Sequence, residues 1–116
     1  MAYVLIALGS NIRQAAHITW AAQRLSALIQ DLHVSRKLWT PDHRGTGLFY
    51  MNLLVSGSTT LTVSELEATL KGIESSCGRS KEHVTIDLDL MQYDDERRHL
   101  KDWPRPYIQQ LLPDLQ

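Results

Sequence analysis

The sequence predicts an α+β sandwich of order β-α-β-β-α-β, an antiparallel four-stranded sheet with both helices on one face. Three observations carry this expectation. A short apolar run near the N-terminus suits a strand covered on both faces. Two stretches repeat apolar residues every three or four positions, as amphipathic helices do. Three others alternate with the two-residue period of a strand. At 116 residues the chain suits a single domain over 1–116, since domains commonly run to about 100–150 residues.

The first strand is Tyr3-Val4-Leu5-Ile6-Ala7-Leu8, halted by the turn formers Gly9-Ser10-Asn11. Ile18, Ala21, Leu25 and Leu28 then form a stripe that Arg13, Gln14, Gln23 and Arg24 avoid, predicting a helix over about 14–29. Leu32, Val34 and Leu38 restore the strand period up to Trp39. Residues 40–47 follow as a polar loop with one Pro and two Gly, the segment best suited to movement. In the next strand Phe49, Met51, Leu53 and Val55 share one face, and Tyr50, Asn52, Leu54 and Ser56 the other. Thr62-Val63-Ser64-Glu65 has the form of a capping box, a Thr hydroxyl opening a helix and a Glu reaching back. That helix carries Leu66, Leu70, Ile73 and Cys77 on its stripe and ends at Gly78. Residues 84–93 alternate again, Ile86, Leu88 and Leu90 facing away from Thr85, Asp87, Asp89 and Met91. In the tail, Pro104, Pro106 and Pro113 leave room for a short helix near 107–112. Trp20 and Trp39 are expected to pack the sandwich, Cys77 to be a small core residue, and 96–98 to be a solvated turn. The second face of the sheet is left open, and function can sit there.

Composition narrows the classes. The formal net charge of −1 opposes a role spent neutralising nucleic-acid phosphates. With 43% hydrophobic and 22% charged residues the chain reads as an ordinary globular domain, and its one Cys excludes a disulfide framework. No apolar stretch approaches the roughly 18–20 residues of a membrane span. The run 3–8 is too short for a signal-peptide core and has no preceding Lys or Arg, so a cytoplasmic protein is expected.

Asp87 and Asp89 are the strongest chemical signal. Two residues apart in a strand, they point the same way, about 6.5–7 Å from each other along the chain. They sit among Ile86, Leu88 and Leu90, where paired negative charges lose hydration and repel unless a cation joins them. Mg²⁺ suits such a pair, because it keeps waters and shares substrate phosphates instead of filling its shell from protein. The plainer alternative is a solvated carboxylate pair making surface salt bridges. Tyr50 and Asn52 form a second pair on one face. A ring beside a carboxamide can stack a flat heterocycle and bond its edge; the plainer alternative is a half-buried ring and a satisfied Asn.

Ala7-Leu8-Gly9-Ser10-Asn11, Tyr50-Met51-Asn52, Ile73-Glu74 with Gly78-Arg79, and Ile86-Asp87-Leu88-Asp89 occur in an order that resembles 6-hydroxymethyl-7,8-dihydropterin pyrophosphokinase, as a shortened member. Each fragment alone is weak; their joint order is specific and spans nearly the whole chain. The resemblance implies a ferredoxin-like fold and transfer of pyrophosphate from ATP to the hydroxymethyl of a reduced pterin in folate synthesis, releasing AMP. It implies two Mg²⁺ ions held by Asp87 and Asp89, and small-molecule partners only, with functional neighbours in the folate pathway. Thr40, Pro41, Tyr50, Asn52 and Tyr107 would then meet the pterin. Glu74, Arg79, Lys81, His99 and Arg105 would lie on the nucleotide side, with Arg79, His99 and Arg105 joining the acidic pair in catalysis.

The chain departs from the family in three places. Only Ser80 to Ile86 separate Arg79 from Asp87, so a longer loop with a Trp and a Pro-Arg pair is missing. His83 or Lys81 replaces that Arg only in part, because a guanidinium grips phosphate bidentately and is always charged. The connection from Asp89 to His99 is short, and the C-terminal portion is trimmed. These deletions imply weaker nucleotide binding or slower turnover. One rival is therefore a non-catalytic pterin- or nucleotide-binding module of the same descent. A second, an RNA-recognition domain, shares the element order, but here the first strand offers Tyr3 at its edge and otherwise only Val4, Leu5, Ile6 and Ala7, and the last would turn carboxylates toward phosphates.

Overall fold

The computed structural model describes residues 1–42, 44–78 and 83–115. Its elements are β1 (Ala2–Ser10), α1 (Gln14–Ser26), β2 (Gln30–Val34), β3 (Leu38–Pro41), β4 (Phe49–Thr59), α2 (Val63–Ser76), β5 (Asp87–Tyr93), β6 (Glu96–Arg97) and α3 (Pro106–Leu111), with a closing 3₁₀ turn, Leu112–Leu115. All strand pairs are antiparallel, in the order β2-β4-β1-β5-β6, with β3 also on β4.

The sheet therefore has six strands, where the periodicity predicted four. The expected strand up to Trp39 is two, β2 and β3, both paired with β4. Between them Ser35 stays attached to β4 by other means. Its amide donates to the Leu54 carbonyl at 2.9 Å, and its hydroxyl accepts from the Leu54 amide at 2.8 Å. The hydroxyl replaces a ladder acceptor, so the ribbon bends there without losing its partner. The sixth strand is the return of a tight hairpin at Asp94, whose φ of 52° makes the reversal. Glu96 and Arg97 are thus exposed but paired, not merely a solvated turn.

One face of the sheet meets α1 and α2. Val4, Ile6, Leu8, Leu53, Val55, Leu88 and Leu90 pack against Ile18, Ala21 and Leu25 from α1 and Leu66, Leu70 and Ile73 from α2. Fully burying each such Leu or Ile contributes about 1.5–3 kcal/mol. The capping box forms as expected: Thr62 Oγ1 accepts from the Glu65 amide, and the Glu65 carboxylate accepts from the Thr62 amide. Cys77 lies half-buried against this core.

The second face is not fully open. Leu5, Ala7, Leu54 and Met91 are covered by Trp103, Ile108 and Leu111 from the tail, so the helices occupy both faces and not one. Trp103 fixes this cover: its indole N–H donates to the Arg98 carbonyl at 2.8 Å, and the Arg97 guanidinium stacks 4.2 Å from its ring centre. Arg98 in turn pairs with Glu67 on α2 and Glu96. Trp20 packs against the main core, but Trp39 is 54% exposed, against expectation. It lies on the α1 side of β3, the edge ribbon beside β4.

α1 ends at Ser26, three residues before the expected 29, because Ile29 turns back into the core. Gly57 on β4 makes this fit: a Cβ there would stand 2.4 Å from Ile29 Cγ2 and 2.6 Å from the Gln30 carbonyl oxygen. One of these obstacles is backbone and cannot swing aside. Gly57→Ala should therefore destabilise the fold by about 1–3 kcal/mol, the usual cost of overpacking; an unchanged urea midpoint would refute the close approach.

Candidate functional site

The tail covers only part of the second face, and the uncovered end holds a cavity of about 450 Å³, within the size range of small-molecule sites. Strand register builds it. Gly9 of β1 lies between Asn52 of β4 and Asp87 of β5, and the next row on this face sets Ala7 between Leu54 and Asp89. On the far side of β4, Asn52 faces Leu38 and Tyr50 faces Thr40. Neighbouring strands run about 4.8 Å apart, so the acidic column and the Tyr50/Asn52 column stand about 10 Å apart across β1. Ala7 and Gly9 leave the floor between them low. A Cβ on Gly9 would touch Asn52 Oδ1 at 3.5 Å and the Tyr50 ring at 3.6 Å, so a longer side chain would fill the space a ligand needs.

Asn52 is almost fully buried and oriented by β3. Its Nδ2 donates to the Leu38 carbonyl at 3.1 Å and to Thr40 Oγ1 at 2.8 Å. Both donor hydrogens are thus spent on the scaffold, leaving Oδ1 as an acceptor. Pro41, Arg105 and Tyr107 complete the described walls together with Asp102. Burial pushes the Tyr107 phenol up to about 12, the negative charge of Asp102 adding to this and Arg105 opposing it. Tyr107 therefore presents a neutral ring at physiological pH.

The loop after β3 is cross-linked around one buried carboxylate. Asp42 accepts from the Arg44 amide at 2.9 Å, from the Arg44 guanidinium at 3.0 Å and from the Thr46 hydroxyl at 2.9 Å. Its own amide donates to the Leu48 carbonyl at 2.9 Å. The side-chain and backbone bonds from Arg44 lower the Asp42 carboxyl from 3.8 to about 2, outweighing its burial. Tyr50 sits beside the same guanidinium and helps to raise its pKa. The segment expected to move is thus tied to the cavity's aromatic ring through Arg44.

Eight residues expected at a site, Thr40, Pro41, Tyr50, Asn52, Asp87, Asp89, Arg105 and Tyr107, line this one cavity. His99 does not. It lies in an adjoining open hollow with Arg97 and Lys101, which meets the cavity at Asp102 and Arg105. Glu74 also stands apart from the walls: from α2 its carboxylate accepts from the Leu88 amide at 2.8 Å, on the outer edge of the acidic strand. Arg79 and Lys81 lie outside the described residues. Sequence reasoning missed Asp102, Pro106 and the role of Ala7 and Gly9 as floor. Asp102 was findable, because a carboxylate three residues before Arg105 is a standard ion-pair spacing on one turn.

Among the described residues no three His, Cys, Asp or Glu side chains gather as a metal cage. Two carboxylates with room in front of them are the donor set of a hard divalent ion that draws its remaining ligands from water and substrate oxygens, and Mg²⁺ fits that description. The family model for 7,8-dihydro-6-hydroxymethylpterin-pyrophosphokinase (HPPK) matches residues 5–113. No curated protein matches the chain.

The lowered Asp42 pKa has a stability consequence of definite sign. Its contribution is complete above the unfolded value of 3.8 and is lost as pH falls toward about 2. Urea midpoints measured from pH 4 to pH 2 should therefore fall more steeply for the parent than for Asp42→Asn, and parallel profiles would show that the loop is not held this way.

Proposed function

The chain belongs to the 7,8-dihydro-6-hydroxymethylpterin-pyrophosphokinase family, and from that premise we propose that it transfers pyrophosphate from ATP to the hydroxymethyl group of 6-hydroxymethyl-7,8-dihydropterin, releasing AMP. The observation that carries this reading is the row Asp87–Gly9–Asn52: a metal-suited carboxylate and a heterocycle-suited carboxamide share one floor, with Gly9, which has no side chain, between them. A pterin seated over Asn52 would offer ring N–H donors to Oδ1 and its faces to Tyr50 and Tyr107. The hydroxymethyl would then point along the floor toward the acidic column.

In this reading Asp87 and Asp89 would hold two Mg²⁺ ions, which would supply neutralisation of the phosphate charge. The protein's own share is placement. Asn52, locked by Leu38 and Thr40, fixes the acceptor in the plane of its ring. The hydroxymethyl oxygen attacks the β-phosphorus, the bond from that phosphorus to the AMP oxygen breaks, and the hydroxymethyl proton leaves to solvent. Holding both reactants on one rigid sheet makes this encounter effectively unimolecular. Arg105 supplies a fixed positive charge at the wall. His99 would meet the nucleotide outside the cavity, in the adjoining hollow, and the family resemblance assigns Glu74, Arg79 and Lys81 to the same ligand. No described helix is long and apolar enough to cross a membrane, and a cytoplasmic setting supplies both substrates.

Two observations favour the rival of a non-catalytic pterin- or nucleotide-binding module: Val84-Thr85-Ile86 stands where an Arg ahead of the acidic strand is missing, and His99 is outside the cavity. Activity decides between them. With Mg²⁺, ATP and hydroxymethyl-dihydropterin, AMP should form, and Asp87→Asn or Asp89→Asn should slow it by about 10²–10³-fold, the usual cost of removing a charge-stabilising group. Pterin binding without AMP formation by the parent would establish the module instead.

A further inference from the structure

Pro106 follows Arg105 as the first residue of α3 and confines it to the extended geometry observed, φ −59° and ψ 136°. Two successive turns lead into it: the Asp102 amide donates to the His99 carbonyl at 2.8 Å, and the Arg105 amide to the Asp102 carbonyl at 3.0 Å. A fixed backbone does not fix an arginine, whose long side chain keeps its rotamer freedom until something grips it.

Asp102 supplies that grip. Its Oδ1 accepts from Arg105 Nε at 2.8 Å. The contact is at Nε alone, so both terminal amino groups of the guanidinium are without a hydrogen bond among the described residues. Both residues line the cavity and also the adjoining hollow, so the pair forms the wall between them. We propose that Asp102 is a positioning residue, gripping Arg105 from behind so that its terminal amino groups stay presented, as a two-pronged donor, to the phosphate oxygens of a nucleotide crossing that wall.

A merely structural role fits poorly. The side chains are 29% and 43% exposed, and an ion pair so open to water contributes little to folding. Nor does Asp102 serve the cavity by its charge, since a third carboxylate beside Asp87 and Asp89 repels a phosphate ligand. What it offers is direction, and direction survives if the charge is removed but the acceptor oxygen is kept. Asp102→Asn retains that oxygen, whereas Asp102→Ala loses it.

The proposal rests on the pyrophosphokinase reading for its ligand, and the test separates the two. Calorimetry with Mg²⁺ and ATP on the intact chain should show Asp102→Ala binding about three- to tenfold more weakly, the cost of ordering one long side chain. Asp102→Asn should bind at least as tightly as the parent, and Asp102→Ala/Arg105→Ala no more weakly than Arg105→Ala. Thermal midpoints should stay level across the set. Independently, the Arg105 Nε–H resonance, assigned by its loss in Arg105→Lys, should be protected from exchange in the parent and in Asp102→Asn but not in Asp102→Ala. An Asp102→Ala protein that binds like the parent, or whose Arg105 Nε–H stays protected, overturns the positioning role and leaves the pyrophosphokinase reading intact. A parent that neither binds Mg²⁺ with ATP nor forms AMP overturns both.

Discussion

The register of β1 against its two neighbours is the constraint on which the rest depends. Because β1 is hydrogen-bonded along both flanks, the residue opposite Gly9 is fixed as Asn52 on one side and Asp87 on the other. Side chains alternate with a period of two, so a slip of one residue in either pairing would send a whole column to the opposite face. The acidic pair would then enter the main core among Leu88 and Leu90's present partners, and those leucines would face water. Two cores, one on each face, lock this register: Val4, Ile6 and Leu8 are buried on one side, Leu5 and Ala7 on the other.

The tail adds a second constraint. Trp103, Ile108 and Leu111 cover the middle of the second face and stop short of its end, so the cavity is bounded by a helix and not left as a flat sheet. The same covering segment brings Arg105 and Tyr107 to the wall. Packing and the shape of the cavity are thus served by one short stretch, in which the apolar anchors set the height of the neighbouring wall residues.

The parts legible in the sequence were those set by local chemistry. The capping box at Thr62, the stripe of α2 and the alternation that aims Asp87 and Asp89 together all lie within a few residues of themselves. The break after Val34 was not legible, because it depends on a Ser35 hydroxyl reaching Leu54, nineteen positions on. The cover over the second face escaped for the same reason: three apolar residues among prolines show no period until Trp103 is seen against Leu5 and Met91. His99 was placed by spacing alone, and its left-handed backbone, φ 53°, turns the chain into the neighbouring hollow. Trp39 was expected inside because tryptophans usually are, yet β3 is an edge ribbon with little above it.

The Glu74 carboxylate has a consequence of a different kind. β6 pairs with Gln92 and Tyr93, so among the described residues the first part of β5 has no strand on its outer side. There the Leu88 amide would be an invitation for a foreign chain to add itself to the sheet, beside the acidic residues. Glu74 occupies that amide, so the donor that a foreign strand would need at this border is already taken.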